Sequence, residues 1–178
     1  MTSTGLFRQG GEAAWGGAAV PAVDWSVDAC TIGRAMAILG EKWTVVVLRE
    51  IFNGIRRFDD MRLRTGIPRQ VLANRLASLV DRGLLRREPY REPGARERHE
   101  YRLTPMGFDI YPVLVAVKAW GDRYLADPDG PPLTFEHRDC GAEVRTEVHC
   151  AAGHRLDEPR DVLPRPGPGA RPRTRAAG

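Results

Sequence analysis

Apolar residues recur at helical spacing through the middle of the chain, and polar punctuation cuts that run into short elements. Over residues 67–87, Leu72, Leu76, Leu79 and Val80 fall on one stripe. Pro68 suits a first helical turn, where its missing N–H costs nothing. Gly83 suits the left-handed residue that closes a helix. Upstream, Ile32, Met36 and Leu39 predict a helix over 30–39 that Gly40 breaks. Residues 43–53 carry Val46, Val47, Leu48, Ile51 and Phe52. Their valines suit a strand, but the length of the run and its Asn53-Gly54 ending favour a helix buried on most sides. A third helix is predicted over 58–65, with Asp59 and Asp60 at its start and Arg62 and Arg64 at its end, as the helix dipole prefers. Phe58, Met61 and Leu63 are its core candidates. Gly66 then turns the chain into the helix that follows Pro68.

Beyond Gly83 the period changes. Residues 84–90 and 99–103 read as two strands, separated by a polar stretch with Pro93-Gly94 as a turn. Thr104-Pro105 opens a last helix, with an N-cap and a first-turn proline, running to about Leu125. Phe108, Ile110, Tyr111, Val113, Leu114, Val115, Val117 and Trp120 cover more than one of its faces. A surface helix needs only one apolar stripe, so the surplus predicts a second buried contact, most simply with another copy of the chain. Pro112 is expected to kink or loosen this helix. A short helix, a tight glycine turn, an amphipathic helix and a basic hairpin make a winged helix-turn-helix. The fold class expected is therefore mainly α with a small β-hairpin wing, plus a small C-terminal β appendage. The boundaries expected are a disordered segment over 1–24, the winged helix-turn-helix over 25–126, a small hairpin over 133–158, and a disordered tail rich in Pro, Gly and Arg over 160–178.

At 178 residues the chain is long enough for one good core. No apolar run reaches bilayer length, and Arg8 is the one basic residue ahead of no continuous apolar stretch, so neither a membrane span nor a secretory signal is expected. A cytoplasmic location follows by default. Three cysteines do not make a disulfide framework. Net charge is only +4, but it is unevenly spread. Residues 49–102 hold 14 arginines against 8 acids, whereas residues 103–154 hold 4 basic residues against 8 acids. A positive middle beside a negative flank suits a surface aimed at a polyanion.

The residues that could read that polyanion lie on the helix after Pro68. Arg69 stands at its first turn, and Gln70 and Asn74 point roughly away from the leucine stripe. Arg, Gln and Asn make bidentate contacts to purine edges in the major groove. Asp81 would repel phosphate, so the N-terminal half is the half suited to DNA. Arg91, Arg96 and Arg98 sit on the hairpin, where phosphate or minor-groove contact is favoured over a merely solvated loop. A winged helix can instead serve as a protein-interaction module without sequence-specific DNA binding, but that use predicts an acidic or apolar face. No Ser/His/Asp grouping, Gly-rich phosphate loop or paired-carboxylate motif indicates an enzyme.

Cys30, the run Leu39-Gly40-Glu41-Lys42-Trp43-Thr44, the Arg57-Phe58 pair, Leu72, Arg75-Leu76 and Leu79 form a long ordered pattern. Gly83-Leu84, Glu100-Tyr101, Leu103-Thr104 and Gly107 continue it. Over about residues 30–125 this pattern resembles the HxlR-type winged helix-turn-helix transcriptional regulators. The resemblance implies a homodimer on double-stranded DNA, more a repressor than an activator, reading a pseudo-palindrome with half-sites about one helical turn apart. It assigns recognition contacts to Arg69, Gln70 and Asn74, a phosphate contact to Arg75, and wing contacts to Arg96 and Arg98. No cofactor is required, and the sequence does not reveal an inducer.

Two further sites come with the resemblance. Some members sense oxidants or electrophiles through a cysteine at the position of Cys30, and a thiol at a helix N-terminus feels the positive end of the dipole. The proline that usually follows that cysteine is Thr31 here. Some members also carry a C-terminal metal-binding segment. Here His137, Cys140, Cys150 and His154 form H-x2-C-x9-C-x3-H, which resembles a small structural zinc site across a hairpin. Without an ion, the same hairpin would pack through Val144 and Val148.

Overall fold

The computed structural model of the chain describes residues 26, 28–94 and 96–171. The expected N-terminal segment over 1–24 and the last residues of the tail lie outside them. The chain divides into two compact units, Ala35–Thr146 and the remainder, Met1–Arg34 with Glu147–Gly178.

From Thr31 to Leu125 the elements follow in the order the sequence predicts. Helix α1 (Thr31–Leu39) leads into α2 (Thr44–Phe52), α3 (Phe58–Thr65) and α4 (Arg69–Asp81). Strands β1 (Leu85–Tyr90) and β2 (Arg98–Leu103) come next, then a single turn α5 (Pro105–Phe108) and α6 (Tyr111–Leu125). The valine-rich run is helical, and it is central: Val47, Leu48 and Ile51 of α2 are buried with Met61 of α3, Ile67, and Leu72, Leu76 and Leu79 of α4. Leu84, Leu85 and Leu103 at the base of the hairpin close this core. Each such side chain contributes about 1.5–3 kcal/mol on burial. The core thus fixes α3 and α4 against α2 and anchors the wing.

The two strands pair antiparallel, with Leu85 opposite Leu103 and Tyr90 opposite Arg98. Arg57 bridges to Glu100, and Tyr101 N donates to Arg56 O across 2.9 Å, so the segment before α3 lies along β2. Gly66, between α3 and α4, has φ +66°, the left-handed conformation that a side chain disfavours. Gly107 is demanded by space instead: a Cβ there would lie 2.2 Å from Leu84 O and 3.0 Å from Leu103 Cδ2. Thr104 caps the turn, its Oγ1 accepting from Gly107 N at 3.1 Å and donating to Gly83 O at 2.6 Å.

Some expectations need correction. Leu63 is 85% exposed and not part of the core; in so short a helix, Met61 and Phe58 already fill the buried side. Ile32 and Met36 are also exposed, and only Ile38 and Leu39 of α1 pack on the core. The last helix is two helices, interrupted at Asp109 and Ile110. The interruption falls just ahead of Pro112, which lies in the first turn of α6, so the loosening expected at this proline is seen as a break in the helix. In the C-terminal appendage, isolated bridges pair Glu136 with Glu143 and His149 with Arg155, each closing a small loop. Val148 is 58% exposed. Among the described residues after Thr146, the short 3-10 turn Pro159–Asp161 follows.

Candidate nucleic-acid interface

Helix α4 buries Leu72, Leu76 and Leu79, and this sets its opposite face outward. Arg69, Gln70 and Asn74 are all exposed there. Gln70 Nε2 donates to Asn74 Oδ1 at 2.8 Å, so two amides one turn apart stand braced together. Arg69 lies 5.4 Å from the centre of the Phe58 ring, a cation–π contact that holds its guanidinium by the start of α3. Pro68 has an extended ψ of 138° and stands just before α4, so Arg69 is the first helical residue.

Arg75 is placed differently from its three neighbours. Its side chain is only 20% exposed, and Nη2 pairs with Glu41 at 2.9 Å. Its Nε is buried with no hydrogen-bond partner among the described residues. The expected phosphate contact would have to compete with Glu41. Arg82, which the sequence reading passed over, is exposed beyond the end of α4, and its Nε lies 3.4 Å from Ser78 Oγ.

On the wing, Arg96 is exposed and Arg98 begins β2, 3.7 Å from Asp59 of α3. Arg57 stacks over Tyr90 at 4.4 Å and pairs with Glu92 at 2.6 Å, tying the start of α3 to the hairpin. Arg102 pairs with Glu88 and Glu100, both at 2.6 Å, and Arg86 pairs with Glu88. These pairs use the arginines nearest the body of the sheet on internal carboxylates.

The signal least visible in the sequence is Glu50. It is 1% exposed in α2, with Oε1 accepting from Arg49 Nε and Nη2 at 3.0 and 2.6 Å and Oε2 accepting from Arg64 Nε at 2.8 Å. Burial alone would raise its pKa, but the hydrogen bonds and charges of Arg64 and Arg49 outweigh burial and hold it below the ordinary carboxylate value. The pair fastens the last turn of α3, just ahead of the turn into α4, onto α2.

Cys30 is exposed, and Gly33 N lies 3.4 Å from its Sγ at the start of α1. His137 Nδ1 lies 3.2 Å from Cys140 Sγ, and Cys150 Sγ lies 3.4 Å from His154 Nδ1. Each pair sits in its own loop. Among the described residues no group of three or more His, Cys, Asp or Glu side chains stands close enough to hold a metal ion. No described helix is long and apolar enough to cross a membrane.

A mainly helical chain with a two-stranded antiparallel wing after an exposed second helix is a winged helix-turn-helix protein. The family model for HxlR-like helix-turn-helix proteins matches residues 38–129, and the chain belongs to that family. An HTH-type transcriptional regulator of Mycobacterium tuberculosis is 43% identical over 139 residues, covering 78% of this chain and 87% of the relative. The regulator YdeP of Bacillus subtilis is 31% identical over 106 residues, covering 57% and 81%. Among solved structures, PA1607, described as a candidate transcription factor, superposes with a TM-score of 0.68 at 30% identity, over 78% of this chain and 96% of that one. PA1374 of Pseudomonas aeruginosa gives 0.55 at 33% identity, over 80% and 95%. Fold and relatives alike are those of transcription regulators and not of enzymes.

Proposed function

We propose that this regulator represses transcription by binding a pseudo-palindromic operator as a homodimer, each copy setting α4 in the major groove. The observation that carries the reading is the outward face of α4, where Arg69, Gln70 and Asn74 are exposed on a helix whose other side is locked into the core. Arginine suits guanine O6 and N7, and the two amides suit adenine N6 and N7. Arg96 and Arg98 supply wing contacts to the backbone, and Arg75 is a phosphate contact only when released from Glu41.

Dimerisation is supported by α6. Val113, Val117, Trp120 and Tyr124 are each 45–59% exposed and recur every three or four residues, which makes an apolar stripe on the surface. A second copy covering that stripe would form the dimer that a pseudo-palindromic operator, with half-sites about one turn of duplex apart, requires. The exposed thiol of Cys30 extends the reading to thiol-dependent control of DNA affinity.

The test is selection of bound duplexes from a random pool by the purified chain, followed by titration of the winner at several salt concentrations. An enriched inverted repeat, bound with an affinity that falls steeply with salt, supports the reading. Enrichment of a single half-site, or of no sequence, overturns it.

A further inference from the structure

A cleft of about 720 Å³ lies between α2, the end of α3, α6 and the segment over 132–135, away from the exposed face of α4. Its size is that of a small-molecule site. Three aromatic rings wall it in sequence: Phe52 lies 5.1 Å from Tyr111, and Tyr111 lies 6.3 Å from Phe135, centre to centre. Such a wall favours a flat, unsaturated occupant.

The charges around the cleft are unequal in what they have left to offer. Its carboxylates, Glu50 and Asp122, are both engaged: Glu50 by Arg49 and Arg64 through both oxygens, Asp122 by Lys118. An incoming cation would find no unpaired acid here. The cations have donors to spare. Arg64 uses Nε on Glu50, which leaves its two terminal nitrogens, and it remains 56% exposed. Arg49 uses Nε and Nη2, which leaves Nη1. Lys118 sits 5.1 Å over the Phe135 ring, adding positive charge beside an aromatic surface.

We propose that this cleft binds a small planar aromatic carboxylate, its ring against Phe52, Tyr111 and Phe135 and its anion at Arg64 and Arg49, and that occupancy changes DNA affinity. The link to DNA follows from position. Arg64 is in the last turn of α3, two residues before Gly66 and five before Arg69. An anion drawing on Arg64 competes with the Glu50 pair that fastens α3 to α2, and so acts on the turn that orients α4. This coupling rests on the reading of α4 as the DNA-binding helix; the binding site itself does not.

The probe is 1-naphthoate, followed by its fluorescence with the full-length chain and no DNA. Saturable binding at one per chain is expected, weakened about tenfold or more in Arg64→Lys, which retains a cation for Glu50, and likewise in Phe135→Ala. The neutral 1-naphthalenemethanol is expected to bind at least about tenfold more weakly. Absence of saturation, equal binding of acid and alcohol, or unchanged affinity in both folded variants overturns the site. A second titration measures the selected DNA with and without saturating 1-naphthoate. A several-fold shift in DNA affinity, lost in Arg64→Lys, is expected, and no shift overturns the coupling. Failure of the DNA-binding reading is recognised separately, as absence of specific binding before any probe is added.

Discussion

Gln70 and Asn74 are joined across one turn of α4 by a 2.8 Å amide–amide hydrogen bond on the face that points away from the core. The bond uses one donor of Gln70 and one lone pair of Asn74, and each amide keeps further donors and acceptors for a base edge. Because each amide orients the other, the two should act as a unit. The double variant Gln70→Ala with Asn74→Ala is expected to lose less specific affinity than the two single losses combined. The coupling should be at least about 0.5 kcal/mol in a double-mutant cycle. Strict additivity would mean that the pair does not act jointly on DNA.

Arg96 tests the wing. Its change to alanine should weaken binding to all duplexes by a similar factor and reduce the slope of log affinity against log salt by about one. The measurement is a salt titration on the selected operator and on a scrambled duplex. A loss confined to the operator would make Arg96 a base reader.

Glu50 ties acid sensitivity to the fastening of α3. Its folded-state pKa lies below the ordinary 4.5, so the stabilisation is fully present above that value and is lost as pH falls through the lower, folded value. Glu50→Gln should therefore cost on the order of 1–3 kcal/mol at neutral pH. It should also flatten the decline of stability below about pH 4.5. Urea unfolding at a series of pH values reads both effects. Parallel curves for variant and parent would separate Glu50 from the acid response.

Gly107 packs directly against the backbone of Leu84, where the wing meets α5. Alanine there should destabilise by about 1–3 kcal/mol through overpacking, visible as a lower midpoint in denaturant. An unchanged midpoint would show that the contact gives way easily.

The stripe on α6 bears on assembly. Trp120 is 58% exposed, and Trp120→Arg should convert a dimer to a monomer in sedimentation at micromolar concentration while leaving the helical content unchanged. A dimer that survives this change is held by some other surface.

Much of this architecture was legible because it is local. The leucine stripe of α4, the turns at Gly66 and Gly83 and the polar Pro93-Gly94 tip each follow from neighbouring residues. Leu63 was misread because an eight-residue helix offers too few turns for its apolar period to be assigned. The break at Asp109 and Ile110 lies beside Pro112, whose effect on the helix is legible in the sequence, whereas its extent is not, because apolar residues continue through it. Glu50 and Arg64 lie fourteen positions apart, and nothing in either neighbourhood announces that one is buried and the other is its partner. Arg75 likewise depends on Glu41, thirty-four positions away, so sequence spacing could show its polarity but not its engagement.

The most direct measurement is the ratio of operator to scrambled-duplex affinity for the parent chain, Gln70→Ala and Asn74→Ala, titrated at one fixed salt concentration. Each variant should lose roughly 1–3 kcal/mol of discrimination while its scrambled-duplex affinity stays near that of the parent. A ratio unchanged in both variants would contradict base reading by the exposed face of α4.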